Sequence, residues 1–315
     1  MSNYTDVKAV IGLSNYEKHF WDEMRFRGKD VVDYHDAYNA VDGAYYVPMD
    51  SAKALRKAIA EEGTIRAIST NLTHYEGTST IWASESDDVF EYVPEGGQIP
   101  GFDVEDDIAK FPIRRHKLAG LVKMSSEFAY DVHFDLKKHL TARIAKSAAK
   151  AEDASFISGD GTSKPFGLLH PTAGAETGVT TESLSYDDVI DLFFSVKPEH
   201  RKKATWVMND STALALRKLT DDDGAYLWDG SVDDLLGRPV VICNDMPDIE
   251  AGSKPMLFGD FRYYWIVDQS PISVRALKEA FAQNDRVGYL TFEFLDARLV
   301  RRDAVKCLAL SGGEE

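Results

Sequence analysis

From Ala67 to Ala109 the chain carries no lysine or arginine, while Glu76, Glu85, Asp87, Asp88, Glu91, Glu95, Asp103, Glu105, Asp106 and Asp107 all fall within it. The middle of this stretch, EYVPEGGQIPGFDVEDD, holds Pro94, Gly96, Gly97, Pro100 and Gly101, a composition that opposes packed regular structure. Strand-like sequences flank it: STIWAS before, and IAKFPIRRHKLAGLVKMS after. The pattern predicts a long hairpin-like excursion with an acidic tip and a basic return through Lys110, Arg114, Arg115 and Lys117. A connection this long is functional or disordered, which leaves two readings: a solvated surface loop, or an arm that binds a partner.

Ser125 to Ser158 is the longest helical candidate. Phe128, Val132, Leu136, Leu140 and Ile144 recur every four residues, and a run of alanines follows. At 1.5 Å per residue it predicts a helix of roughly 50 Å. Arg143, Lys146 and Lys150 share one face of it, either a solvated basic face or a docking strip for an acidic segment.

The helix runs into SFISGDGTSKPFGLL. Phosphate loops lead from a strand into a helix whose amides face the anion. Gly159-Asp160-Gly161 has the opposite polarity, and Asp160 would repel an anion. It also lacks the alternating oxygen ligands and closing glutamate of a calcium loop. A stop fits better: Gly159 in the left-handed conformation, Asp160-Gly161 as a turn pair, and Pro165 forbidding continuation. The DDDG of Asp221 to Gly224 is incomplete as a metal loop in the same way. The eight histidines show no metal spacing, and no nucleophile elbow, Walker sequence or C-x-x-C is present. The expectation is no catalytic set, no cofactor and no metal.

Lys and Arg total 36 against 52 Asp and Glu, a formal charge of -16, which argues against a protein whose task is to grip a phosphate backbone. Cys243 and Cys307 sit in apolar runs without paired spacing and read as reduced core thiols, which favours synthesis in a cytosol. The first residues carry acid early and do not read as a signal peptide. The longest stretch free of charged residues, Pro165 to Ala175, is too short to span a bilayer.

Elsewhere, residues 1–42 read as an arm that packs on something else, with SNYEKHFWDEMRFRG as its only good helix. DSAKALRKAIAEEG predicts a helix capped by Asp50 or Ser51 and closed by Gly63. After Ser185 helices and strands alternate, starting with a Ser185/Asp188 capping pattern. The tail is mainly strand-like, including MLFGDFRYYWIVD and DAVKCLAL.

These segments carry a resemblance. AEDASFISGDGTSKPFGLL, with GAYYVP and MSSEFAYD upstream and ATWVMNDSTALALRKLTDDDGAYLW, LLGRPVVICNDMPD, MLFGDFRYYWIVD and DAVKCLAL downstream, resembles in order the major capsid proteins of tailed phages with the Hong Kong 97-type fold, over roughly residues 40–310. The resemblance implies an α+β capsid fold. Its expected parts are an N-terminal arm and short helix (1–62), an extended loop with flanking strands (63–124), and a spine helix with peripheral domain (125–184). An axial domain (185–285) and return strands of the peripheral domain (286–315) complete it.

What it implies for function is self-assembly, as hexamers and pentamers, into an icosahedral shell around double-stranded DNA. Expected partners are a portal and either a separate scaffold or decoration protein or none, with DNA contacted weakly and no membrane. The place is the virion, assembled in host cytoplasm. On this reading the acidic loop docks on a neighbour, at Arg114, Arg115 and Lys117 or at the Arg143, Lys146, Lys150 strip. Some members crosslink a loop lysine to an asparagine. Here the loop has no lysine before Lys110 and Gly288 lies near the asparagine's place, so no crosslink is expected. An encapsulin-like compartment with protein cargo, and a hydrolase using Asp160 or Asp221 to Asp223, stand as alternatives.

Overall fold

A computed structural model describes residues 4–26, 37–39, 43–73, 80–84, 92–98, 108–131, 133–221, 223–228, 230–231 and 233–312. The elements run α1 (Tyr4–Ile11), α2 (Ser14–Met24), β1 (Tyr38–Asn39), β2 (Ala44–Tyr46), α3 (Met49–Glu62), α4 (Ile65–Ile68), β3 (Thr70–Thr73), β4 (Thr80–Ser84), β5 (Ile108–Pro112), β6 (His116–Ser125), α5 (Ser126–Tyr130) and α6 (Leu136–Ser158). They continue through β7 (Glu176–Thr181), α7 (Tyr186–Ser195), α8 (Pro198–Arg201), β8 (Thr205–Met208), α9 (Asp210–Arg217), β9 (Asp234–Leu235), β10 (Arg238–Ile242), β11 (Met256–Gly259), β12 (Tyr264–Asp268), β13 (Ser273–Leu277), β14 (Arg286–Leu299) and β15 (Val305–Leu310).

The long helix is shorter than its periodicity predicts. It breaks between Tyr130 and Leu136, leaving α6 with 23 residues, about 35 Å. The break is held by side chains: Asp131 accepts from the His133 amide at 2.8 Å, Asp135 caps α6 at the Lys138 amide, and Arg25 donates to the carbonyls of Asp131 and Phe134 at 2.6 and 2.7 Å. Local caps of this kind compete with helix continuation. Phe128, placed on the core face by the four-residue repeat, is half exposed as a result.

Leu136, Leu140, Ile144, Ala145 and Ala149 of α6 pack with α2, α3 and the first sheet, while Phe156 and Ile157 enter a second core at the junction of the two larger sheets. Each large apolar side chain so buried contributes about 1.5–3 kcal/mol. The arm packs within its own chain: Tyr16, Phe20 and Met24 are buried, the Tyr16 hydroxyl donates to the Tyr46 carbonyl, and the Tyr289 hydroxyl donates to the Met24 carbonyl. It also contains α1, a helix absent from the sequence expectation. Pro48, not Asp50 or Ser51, stands at the start of α3, and the Ser51 hydroxyl instead donates to Glu17 of the arm at 2.9 Å.

The first sheet runs β1-β2-β13-β14-β12-β3, with β6 also on β14; the second runs β7-β15-β11-β8-β10-β9; β4 and β5 form a separate hairpin. This membership departs from the division expected at 185 and 285. β7 and β15 belong with β8, β10 and β11, whereas β12 and β13 belong with β14. MLFGDFRYYWIVD, read as one strand-like segment, splits between the sheets at Asp260, whose carboxylate accepts from the Arg262 amide and turns the chain. β6 pairs along its length with β14 and, among the described residues, with no other strand, so its far edge is open.

At the end of α6 the stop-and-turn is present, with one correction. Gly159 is extended (φ -65°), not left-handed; a Cβ there would collide with the Pro165 and Ser155 carbonyl oxygens, so close approach is what requires glycine. Gly161, at φ +68°, is the left-handed residue. Beyond Pro165 the chain turns back, and the amides of Leu168 and Leu169 donate to the Phe156 and Ile157 carbonyls at 2.7 and 3.0 Å, satisfying groups that a helix end leaves unpaired. Asp160 accepts from the amides of Thr162, Ser163 and Lys164 and from the Ser163 hydroxyl, all within 3.0 Å.

One set of contacts has no counterpart in the sequence expectation. Arg66 forms a two-pronged pair with Glu152 of α6 (2.7 and 2.8 Å) and reaches Asp268 of β12 at 3.3 Å, while Arg56 of α3 pairs with Asp268 and, at 3.2 Å, with Glu293 of β14. Glu152, Asp268, Glu293 and Arg66 are all buried. Next to Glu152, Asp153 accepts from the Thr64 and Ile65 amides at 2.7 and 3.0 Å, capping α4. Among the described residues two guanidiniums thus face three buried carboxylates, with Arg56 at the partly exposed end.

Two outcomes follow from these groups. Burial pushes Glu293 up to about 7 from its ordinary 4.5, against the pull of Arg56. Between those values the folded chain holds a proton that the unfolded chain has released, so stability falls as pH rises through this window, by up to about 3 kcal/mol. Thermal melts of the subunit at about pH 5 and about pH 8 should show a smaller drop for Glu293→Gln than for the wild type; equal drops would assign the pH dependence elsewhere. For Asp160 the sign is opposite. The Thr162 amide first, then the Lys164 amide and Ser163 hydroxyl, hold its carboxyl well below the usual range. The turn therefore keeps its ordered Thr162 to Lys164 amide resonances through mild acid and loses them only in strong acid, whereas Asp160→Ala should lose them at neutral pH.

Candidate assembly surface

The hairpin expected from the acidic excursion is present at its base. β4 and β5 pair from Thr80↔Pro112 to Ser84↔Ile108. Ile81 and Ala83 are buried there against Val267 and Val300, with Leu72, Phe111, Ile113 and Trp265 packed around them. Strand alternation sends Trp82 to the opposite face, half exposed, with the Lys110 ammonium 4.6 Å above its ring. Of the acidic tip, Glu95 is described and exposed, as is Tyr92. Glu91, Asp103, Glu105, Asp106 and Asp107 lie outside the described residues.

The two basic groups differ in how they are held. Arg114 is fastened at both ends: its amide donates to Asp296 at 2.7 Å, and its guanidinium donates to the Gly161 carbonyl and lies 5.7 Å from the Phe166 ring. The Arg115 guanidinium stacks 3.9 Å over Phe294, and the Lys117 ammonium sits 4.1 Å over Phe292. Arg298 adds another layer between Phe111 of the hairpin (4.8 Å) and Phe166 of the turn (5.0 Å). The basic return is thereby a clamp that ties the hairpin base, β14 and the Gly159-Asp160-Gly161 turn together. Partial burial, with Arg114 close by, brings the Arg298 guanidinium below its usual range.

Arg143, Lys146 and Lys150 are exposed on α6 and share a face, with Ile144 buried behind them as the spacing predicts. Among the described residues none of the three is in an ion pair. Lys150 exerts a field on Asp245, which burial nonetheless pushes up. Among the described residues the strip is therefore an exposed cationic face without an ion-pair partner.

Asp160 spends its carboxylate on its own turn, and Asp221 does likewise, accepting from the amides of Asp223 and Ala225 at 3.0 and 2.8 Å. Among the described residues one group of potential ligands gathers elsewhere: Asp153, Cys243 and Asp245. Asp153 in that group is occupied with capping α4, and burial pushes the Cys243 thiol up to about 11. Such a thiol is an inert core group rather than a poised ligand. Cys243 and Cys307 are both unpaired and buried, as expected. No helix among the described residues is long and apolar enough to cross a membrane.

Comparison with known proteins gives this surface its context. No curated protein matches the chain. Among solved structures, the capsid of an empty GTA particle, computed with C5 symmetry, is 28% identical with a TM-score of 0.67, covering 79% of this chain and 90% of that one. The native GTA particle capsid matches with a TM-score of 0.63 at the same identity and coverage. Microbacterium phage Oxtober96 shares the fold at 15% identity, with a TM-score of 0.57 over 79% of this chain and 91% of that one. The sequence model of the phage capsid family matches residues 43–310. Over most of its length, from the strand after the arm to the last strand of the second sheet, the chain belongs to the phage capsid family.

Proposed function

We propose that this chain is the major capsid protein of a tailed phage or phage-like particle, assembling with itself as pentamers and hexamers into an icosahedral shell around double-stranded DNA. The observation that carries the proposal is the family match over residues 43–310, joined to a 28%-identical capsid that aligns over 90% of its own length. The role is structural rather than catalytic. The matches to phage capsids do not favour protein-cargo storage, and metal-dependent hydrolysis gains no support, since Asp160 and Asp221 are committed to their turns.

The shell forms in host cytoplasm, and a portal and a separate scaffold or decoration protein are its further partners. A charge of -16 suits a wall that holds DNA only weakly. The acidic loop of one copy docks on the Arg143, Lys146, Lys150 strip of the next, in preference to Arg114, Arg115 and Lys117, which already serve the clamp. Exposed ion pairs give about 0.2–1 kcal/mol each, so they set register more than strength.

Purified protein should run as a very large particle with shells visible by electron microscopy; a small oligomer under all conditions overturns the proposal. Arg143→Glu with Lys146→Glu should lower shell yield and remove much of its salt dependence, whereas Glu95→Gln has a weaker effect in the same direction. Shells indifferent to salt and to both changes would remove the docking strip. Gly288 of β14 pairs with Lys123 of β6, and Phe281 fills the space where its side chain would stand. Shells dissolved for a denaturing gel should accordingly give a single monomer band; a ladder would show a crosslink formed by other residues.

A further inference from the structure

Between α6 and β6 lies a cleft of about 530 Å³, counting its open mouth. It exists because the facing positions are small: Ser147 and Ala148 on the helix, and Gly120 on the strand, where a Cβ would meet nothing within 4 Å. Leu118, Val122 and Ile144 make its walls apolar. Two polar side chains from β14, both more than nine-tenths buried, form part of its lining: Thr291, whose hydroxyl oxygen has no hydrogen-bond partner among the described residues, and Glu293. A buried hydroxyl left unpaired costs about 1–3 kcal/mol and marks a place where a partner is missing.

The charge count says which partner. Glu293 belongs to the set in which, among the described residues, the two guanidiniums of Arg56 and Arg66 face the three buried carboxylates of Glu152, Asp268 and Glu293. Burial pushes Glu293 up to about 7 even though the Arg56 guanidinium stands 3.2 Å away. An apolar-walled cleft ending on a carboxylate and a hydroxyl matches an alkyl stem that ends in a cation. The open edge of β6 forms one wall, so an extended segment of another molecule can lie along the strand while its side chain enters.

We propose that this cleft is a socket for a lysine or arginine side chain from a neighbouring copy of the chain, an inference that rests on reading the chain as a shell subunit. The cation cannot come from residues 67–109 of that copy, which contain neither residue type. The socket is therefore a contact separate from the docking of the acidic loop. It supplies the missing positive charge only when copies meet, so the buried acid set is fully balanced in the assembled form.

The free subunit tests the site without requiring a shell. Methyl resonances of Leu118, Val122 and Ile144 should shift and saturate with n-butylammonium chloride, and apparent affinity should weaken on the order of tenfold or more for n-butanol and in Glu293→Gln. Equal binding of the alcohol, or no binding of the ammonium ion, overturns the socket. In shells, Ser147→Cys carrying a benzophenone is mixed with isotope-labelled copies lacking the probe. Illumination should join it to one lysine- or arginine-containing peptide of a labelled copy, with the yield reduced on the order of tenfold by Gly120→Val, which fills the cleft. Crosslinks confined to one copy, or unchanged by Gly120→Val and Glu293→Gln, overturn the neighbouring copy as the source. Failure of the wild type to form shells counts against the capsid reading, and the ammonium titration then decides the socket by itself.

Discussion

The fold depends on a salt-bridge set placed where helix and sheet would otherwise have only greasy surfaces to set their registry. Glu152 of α6 receives Arg66, Arg66 reaches Asp268 of β12, and Arg56 of α3 joins Asp268 to Glu293 of β14. Apolar packing is non-directional and tolerates sliding by a turn; bidentate guanidinium-carboxylate contacts do not. Buried pairs of this type are weak sources of net stability, because desolvation offsets much of the attraction, yet removal of one partner strands the other at several kcal/mol. Their contribution is to fix one arrangement of α3, α6, β12 and β14, the elements that carry or border the basic strip, the clamp and the cleft.

A second layer of order radiates from the same helix. Asp153 caps α4, and the turn that follows Ser158 holds Phe166 against Arg114 and Arg298. Phe111 of the hairpin rests on the other side of Arg298. The hairpin base is thus held against the body by a stack of alternating rings and guanidiniums. Those rings and cations come from the hairpin, the turn, the basic return and the long central strand.

Much of this was legible locally. The Ser185/Asp188 capping box forms as its residues predict, with the Ser185 hydroxyl and the Asp188 carboxylate each satisfying the other's amide. The helix stop at Gly159-Asp160-Gly161 is likewise local, although Gly161 rather than Gly159 takes the left-handed conformation. Other features escaped because their causes are not local. The repeat of Phe128, Val132 and Leu136 continues through a break whose determinants include Arg25, more than a hundred residues away in sequence. Sheet membership of β7, β12, β13 and β15 follows from pairing, which segment composition does not encode. Glu293 did leave a trace: an acid inside the aromatic alternation of YLTFEFLDARL is out of place on a buried face, and nothing nearby in sequence names Arg56 as its partner.

The open edge of β6 has a consequence for the subunit before it meets others. Along this ten-residue strand the amides and carbonyls that face away from β14 have, among the described residues, no strand partner, and such an edge is a template for another extended chain. A copy released from synthesis is consequently in a race between correct partners and indiscriminate pairing, and the outcome is set by concentration and time as much as by affinity. Lys117 and Lys123, both exposed along this strand, act as gatekeepers in that race. Their like charges repel a second β6 edge laid against the first and leave an acidic or suitably shaped strand as the preferred match.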